Sequence, residues 1–404
     1  MIVAVCFWFS VAGILYTYAF YPVLLFFLSR FIKKRVIFLS SSSKPVVTLL
    51  IAAYNEEEII ASKLKNCLQL DFPRERLQIL VAADGSNDRT AQIVESFADQ
   101  GIELSFSPER RGKMAAVDRA MQMVRGEIVV MSDANNLYDP QTLLELVKPF
   151  SDPEVGLVTG AKTILRGDGA LGESEGFYWK YESFVKKLET RLGSCTSAAG
   201  EIMAFRRSLY QKPPEGIIND DFYILMQVLS RGFRAVYAPL ARSYERVSAT
   251  AADEVTRRAR IVAGRYQAMI LSPSWLPWRQ PILVWQVISH KFLRPLVPFG
   301  MIGALLANIV SVAFPATALA ESPIVRFFFL TQPFNWIILT LQLIFYGEAI
   351  IAARFPPRSR LMRMLYLPAF LVNSNLAALK GLYRFLTRQQ SANWQRVQRR
   401  TDEV

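Results

Sequence analysis

One histidine and three cysteines are all that 404 residues carry. His290 alone cannot assemble a zinc site from the familiar nitrogen and sulfur ligand sets, so any metal must be held by oxygen. Cys6, Cys67 and Cys195 are scattered with no pairing pattern, as expected of a reducing compartment rather than a disulfide framework. Acidic residues are few beside basic ones, 34 against 47, which leaves a net charge of +13. That surplus lies mostly at the flanks of apolar segments. No basic domain with interleaved aromatics stands apart from them, which argues against a nucleic-acid partner. Internal repeats and extended low-complexity segments are also lacking.

Apolar residues are abundant, at 52% of the chain. The excess is localised in four runs, Ile2–Ile32, Phe292–Ala313, Phe327–Ala353 and Leu361–Leu379. A bilayer core needs about 20 apolar residues per helix, so the first three are predicted to span. The fourth is interrupted by Asn373, Ser374 and Asn375 and ended by Lys380. It reads as a span, a re-entrant hairpin or an interfacial helix. The N-terminal run does not fit a signal peptide, because its positive charges, Arg30, Lys33, Lys34 and Arg35, come after the apolar stretch. By the positive-inside rule they place the downstream region in the cytoplasm. The basic loop Arg354–Arg363 and the basic tail Arg384–Arg400 belong on the same side, and the loop Pro315–Pro323, with no basic residue, on the other. Three C-terminal crossings would leave the tail outside. The expectation is therefore two crossings plus an interfacial or re-entrant element, in an integral protein of a bacterial inner membrane. A transporter is disfavoured, since the spans are few and their only polar cluster is Asn373–Asn375.

Between the apolar ends the chain alternates strand and helix. After a serine-rich linker, Leu39–Lys44, the run Pro45–Ala53 has the length and β-branched content of a buried strand. Leu77–Ala83, Ile102–Phe106, Glu127–Met131, Val155–Ala161, Ile202–Phe205 and Ala235–Tyr237 follow as strands, with helices between most of them. The pattern predicts an α/β fold with a mostly parallel, Rossmann-like sheet. Ala251–Met269 reads as a basic helix, and Trp275–Ile288, with Trp275, Trp278 and Trp285, as a stretch lying on the bilayer.

Ligands of open parallel sheets sit outside the carboxyl ends of the strands, and the informative residues fall there. Tyr54-Asn55-Glu56 ends the first strand, where polar side chains face a ligand or simply start a helix. Asp84-Gly85-Ser86-Asn87-Asp88 ends the second, with Gly85 allowing a sharp turn that exposes Asp84. Arg110-Arg111-Gly112-Lys113 opens a helix whose N–H groups and lysine suit an anionic diphosphate or a solvated loop equally. Asp133-Ala134-Asn135 has the spacing that points alternate side chains the same way. Mg²⁺ needs only one or two protein carboxylates beside waters and phosphates. Asp220-Asp221 begins a further helix, Asp220 as a cap and Asp221 free to take a proton. Arg257, Arg258, Arg260 and Arg265 fall within about 160° of one helical face.

The order of these motifs resembles the membrane-embedded family 2 glycosyltransferases, the group with the cellulose, hyaluronan and poly-N-acetylglucosamine synthases, over nearly the whole chain. The resemblance implies a GT-A domain that binds a nucleotide-diphosphate sugar, UDP-linked by analogy, and passes the sugar by inverting single displacement to a lipid-linked or growing glycan acceptor. It implies that Ala53, Tyr54 and Glu56 border the nucleotide, that Asp84 contacts its uracil or ribose, and that Lys113 approaches the diphosphate. Asp133 and Asn135 match the Asp-x-Asp that holds Mg²⁺ or Mn²⁺. Asn219-Asp220-Asp221 matches an element whose last carboxylate, Asp221, is the general base, with Asp220 beside it. Arg257-Arg258-Ala259-Arg260-Ile261 matches Gln-x-x-Arg-Trp, so that Arg257 borders the substrate and Arg260 neutralises the leaving diphosphate. Trp179, Tyr181 and Glu182 would line the acceptor side, although core packing accounts better for the two aromatics.

The implied organisation is an N-terminal transmembrane helix at 1–32 and a cytoplasmic catalytic domain at 45–245. A basic helix with a membrane-interface region covers 246–290, a transmembrane region 291–388 and a basic tail 389–404. Three departures stand out. Asn135 replaces the second aspartate, Arg257 the glutamine and Ile261 the tryptophan. The last puts chain extension in doubt, and the first motivates a rival reading, a membrane glycan- or nucleotide-binding protein without turnover.

Overall fold

The computed structural model describes residues 1–34, 44–165, 169–246, 248, 250–315, 322–354 and 366–391. The serine-rich linker up to residue 43, the interior of the Pro315–Pro323 loop, nearly all of the Arg354–Arg363 loop, the start of the Leu361–Leu379 run and the tail from 392 on lie outside the described residues.

The apolar runs form helices as expected. Among the described residues three are long and apolar enough to cross a membrane: α1 (Ile2–Phe31), a later run Pro281–Ala313, and Phe334–Ile351. Between α1 and the second run comes the sheet domain. Its elements are β1 (Val47–Ala53), α2 (Ile60–Leu68), β2 (Leu77–Asp84), α3 (Thr90–Glu95), β3 (Ile102–Ser107), α4 (Lys113–Met121) and β4 (Ile128–Asp133). The two-residue β5 (Leu137–Tyr138) follows, then α5 (Thr142–Val147), β6 (Val155–Ile164), α6 (Gly169–Leu192), β7 (Met203–Arg206), α7 (Asp220–Ser230) and β8 (Arg234–Glu245).

The eight strands make one sheet in the order β3-β2-β1-β4-β7-β6-β8-β5. β3, β2, β1 and β4 are parallel, as the alternating pattern predicts. β7 instead runs antiparallel to both β4 and β6, and β5 antiparallel to β8, so the sheet is mixed. The parallel rule assumes a crossover helix that packs back onto the sheet. α6 leaves the sheet and packs on α1 through Val185, Leu188 and Leu192 against Tyr21 and Leu25, and the chain returns in the other direction. β5 is too short to register as a strand in the sequence. β1 and β2 are buried along their whole length, because apolar layers cover both faces of the sheet. α2, α3 and α5 supply one layer through Ile60, Leu64, Val94, Leu143 and Leu146. α4, α7 and part of the Pro281–Ala313 run supply the other through Val117, Ala120, Leu225, Val228 and Val284.

After the sheet come α8 (Ala251–Trp275), α9 (the Pro281–Ala313 run), α10 (Pro323–Phe328), α11 (Phe334–Arg354) and α12 (Tyr366–Leu386). The Trp275–Ile288 stretch is divided: Trp275 ends α8, and from Pro281 the chain is already the start of an apolar helix. α12 lies along α8. A methyl group at Gly381 would come within 2.6 Å of the Ala259 carbonyl oxygen, and Tyr266 stacks on Phe385 at 6.3 Å. α12 thus closes the domain on the side of the apolar helices and is not among the three helices apolar enough to span.

Candidate active site

β2 and β4 each end on an aspartate, Asp84 and Asp133, which puts both side chains at the carboxyl edge of the sheet. Gly85 adopts φ +64°, and a Cβ there would lie 2.6 Å from the Arg110 backbone nitrogen. Only glycine lets the Arg110–Gly112 loop approach this closely. The loop's amides of Arg111 and Gly112 donate to Asp84 at 3.0 and 2.7 Å. Asp84 therefore anchors the loop that begins α4 and carries Lys113. A small pocket at this edge is lined by Ala53, Tyr54, Asp84, Arg110 and Lys113, with the Arg110 guanidinium 3.8 Å from the Tyr54 ring centroid. Glu56 lines neither this pocket nor the larger one. It is 3% exposed, and its amide donates to Thr90 Oγ1 at 2.8 Å, which fixes the start of α2 to that of α3.

Lys113 reaches from α4 into a cavity of about 690 Å³. Its Nζ lies 2.6 Å from Asp133 Oδ1 and 3.9 Å from Asp220 Oδ2. Burial pulls this lysine's pKa down, but Asp133 and Asp220 more than offset it, so the ammonium is held above its usual value. The cavity also exposes Asn135, Asp221, Arg257 and Arg260. The residues expected from the motifs at Asp133, Asp220-Asp221 and the arginine helix thus share one space, although 127 positions separate Asp133 from Arg260. Trp179, Tyr181 and Glu182 line it too.

Asp220 is the first residue of α7, behind Asn219. It is not the cap, and its Oδ2 is buried without a hydrogen-bond partner. Asp221 accepts the Phe222 amide at 2.7 Å. A Cβ built on Gly200 would sit 3.4 Å from Asp221 Cβ and 3.9 Å from Lys113 Nζ, so glycine keeps the space between base and lysine open. Desolvation, then repulsion from Asp220, raises the Asp221 carboxyl from 3.8 to about 6. That is the range in which a carboxylate takes a proton effectively near neutrality.

Arg260 donates to the Ile218 carbonyl at 3.0 Å, and its Nε is buried without a partner. Arg257 is held by Glu254, at 2.7 Å, and Glu175, at 3.6 Å. Burial opposes the charge of Glu254, but Arg257 and Arg258 dominate and keep its carboxyl far below the usual range. Arg257 and Arg258 are thus paired within the helix, and Arg260 is the freer guanidinium.

Asp133 and Asn135 bear on the question of a metal. Among the described residues there is no group of three or more His, Cys, Asp or Glu that would hold one by itself. Asn135 Oδ1 is buried without a hydrogen-bond partner, while its Nδ2 donates to Glu245 at 3.3 Å. An orphaned carboxamide oxygen two residues from a cavity-facing carboxylate fits a hard cation that takes its other ligands from waters and phosphates.

Sequence reasoning missed the supports. Lys63, fully buried, donates to the Asn136 carbonyl at 2.7 Å and to its Oδ1 at 3.0 Å. Asn136 Nδ2 donates to Ser243 Oγ at 2.7 Å and to the Glu201 carbonyl at 2.9 Å. These bonds fix the loop that presents Asp133 and Asn135. Lys162 bridges Glu201, at 3.2 Å, and Glu245 under Asn135. A lysine near the end of an otherwise apolar buried strand, β6, is the sequence signal for Lys162, and Lys63 has none.

Residues 48–212 match the family model described as Glycosyl transferase family 2. Poly-beta-1,6-N-acetyl-D-glucosamine synthase of Staphylococcus aureus (strain COL) is 26% identical over 223 residues, 54% of this chain and 54% of that protein. The synthase of the same name from Staphylococcus epidermidis is 23% identical over the same shares. The chain spans about half the length of the curated relatives it matches. A solved mannosyltransferase from Pyrobaculum calidifontis, in complex with GDP-Man and Mn²⁺, superposes with a TM-score of 0.67 at 23% identity, covering 94% of this chain and 99% of that one. This likeness extends the shared fold to the apolar helices that flank the sheet domain. The chain has a GT-A-like fold and carries a glycosyl transferase family 2 domain at residues 48–212.

Proposed function

We infer that the protein is a membrane-bound inverting transferase. It would move a sugar from a nucleoside-diphosphate donor to an acceptor hydroxyl presented from the bilayer side. One observation carries this reading: Lys113, Asp133, Asp221 and Arg260 line a single cavity that α1 and α9, two helices apolar enough to span, also line. The nucleoside lies toward Ala53, Tyr54 and Asp84, and the diphosphate toward Lys113 and Arg260. The orphaned oxygen of Asn135, with Asp133, would hold Mg²⁺ or Mn²⁺, which would supply positive charge to the departing diphosphate. The solved mannosyltransferase with Mn²⁺ supports that choice.

Asp221 accepts the proton of the acceptor hydroxyl as its oxygen bonds to the anomeric carbon, and the bond from that carbon to the diphosphate oxygen breaks. The leaving group departs as an anion that Lys113 and Arg260 stabilise where its charge develops. The relatives' names support an N-acetylglucosamine donor and a polysaccharide product, and the cytoplasmic side follows from the basic flank of α1. Nucleotide release from a panel of labelled nucleotide sugars, by purified protein with Mg²⁺ or Mn²⁺, tests the reading. Equal rates for the wild type and Asp221→Asn would overturn it in favour of a binding protein without turnover. A ladder of labelled products would mark polymerisation, and a single lipid-soluble product one transfer.

A further inference from the structure

The catalytic groups occupy only one end of the large cavity. The other end is walled by Ile14, Leu15 and Tyr18 of α1 and by Phe370 and Leu371 of α12. Three basic side chains line this apolar end, Arg265 of α8 and Lys291 and Arg294 of α9. One carboxylate, Glu182, faces them: Arg294 Nη1 bonds to it and Lys291 Nζ lies 3.7 Å away. Glu189, the next nearest carboxylate, is taken by Tyr21, by the Thr196 amide at 2.8 Å and by His290 at 2.8 Å. Glu175 and Glu254 are taken by Arg257 and Arg258. Positive charge is therefore in excess at the apolar end.

Two features show that this charge is set up for a ligand rather than for the fold. Arg294 is only 8% exposed, yet its Nε and Nη2 are buried without hydrogen-bond partners. Leaving such donors unmade is costly. Arg265 lines the same space, and no carboxylate lies within ion-pair distance of it among the described residues. A planar guanidinium with two free donors suits a phosphate group. The apolar walls beside it, continuous with helices long enough to span a bilayer, suit an acyl or prenyl chain.

We propose that this end of the cavity binds the phosphate of a lipid, with Arg294 and Arg265 gripping the headgroup and α1 and α12 flanking its chain. The site rests on the transferase reading, because it names the acceptor class: a phosphate-bearing lipid whose transferable hydroxyl points along the cavity toward Asp221. A processive, water-borne glycan acceptor has no use for such a grip.

The test uses the full chain in nanodiscs of phosphatidylcholine containing a graded fraction of dioleoyl phosphatidate, with bound lipid counted by native mass spectrometry. Inorganic phosphate, up to millimolar, is the second arm. Phosphatidate is expected to bind in preference to phosphatidylcholine, and Arg265→Gln to weaken that binding by about tenfold, with Arg265→Lys in between. Should Arg265→Gln fold poorly, Phe370→Glu, which places a carboxylate in the wall of the site, is expected to produce the same loss. Equal retention of the two lipids by the wild type overturns the proposal, as does phosphatidate binding that neither Arg265→Gln nor Phe370→Glu alters. Competition by inorganic phosphate at equal concentration would show a site for the free ion and overturn the lipid assignment. Nucleotide release from the donor is measured in the same nanodiscs. Lost lipid preference with intact donor turnover refutes this inference alone, and bound lipid without donor turnover refutes the transferase reading alone.

Discussion

Replacing Asp221 by asparagine is expected to lower activity and raise stability together, and the structure supplies both signs. As a base, Asp221 takes the acceptor proton, and a positioned base contributes about 10²–10⁴-fold to rate. The carboxyl is raised from 3.8 to about 6, first by desolvation and then by Asp220. A carboxyl that binds its proton more tightly in the folded state costs stability once ionised. The cost is absent below about pH 4, grows as the pH rises toward about 6, and is constant above that. A shift of about two units corresponds to about 3 kcal/mol at most, reduced by whatever residual structure the unfolded chain keeps near Asp220. Asparagine keeps an oxygen for the Phe222 amide and removes the charge. Thermal unfolding of Asp221→Asn and wild type in the same nanodiscs, at pH 7.5 and pH 4.5, should show the variant ahead by a few degrees at the higher pH and level at the lower. Donor turnover of the wild type should fall as the pH drops through about 6. A variant that is less stable at pH 7.5, or equally advantaged at both pH values, would refute the assignment of the raised carboxyl to Asp221.

Asp133→Ala should abolish most donor turnover and raise the Mn²⁺ concentration needed for half-maximal nucleotide binding, read by calorimetry; unchanged metal dependence would remove Asp133 from the cation site. Gly85→Ala forces a Cβ to within 2.6 Å of the Arg110 nitrogen at φ +64°. It is expected to cost about 1–3 kcal/mol and to weaken nucleotide binding, since the displaced loop carries Lys113. Gly381→Val should separate α12 from α8, where the Ala259 carbonyl lies 2.6 Å from the added Cβ, and expose α12 to proteolysis. An unchanged digestion pattern would argue that α12 is not held there.

The strand ends were readable because β1, β2 and β4 are continuous apolar runs that stop on polar residues, and a parallel sheet presents such ends on one edge. Asp84 and Asp133 were located this way to within a residue or two. The arginine helix was readable from its spacing, and all four of its arginines do line the cavity. The direction of β7 was not, because four residues, three of them buried, carry no sign of which way they run. The resemblance puts Glu56 beside the nucleotide with Tyr54; in the structure Tyr54 lines the small pocket, whereas Glu56 is buried, does not line it and donates its amide to Thr90.

By itself the sequence determined where the apolar helices lie, that a sheet stands between them, and which carboxylates and cations are available for chemistry. Each of these depends on local composition and periodicity. Only the tertiary structure decided which charges neutralise one another and which are left over. Arg257 and Arg258 spend their charge on Glu175 and Glu254, whereas Arg260, Arg265 and Arg294 keep donors for the cavity. Pairing falls off within a few ångströms, so it depends on contacts between residues distant in the chain that no spacing rule contains.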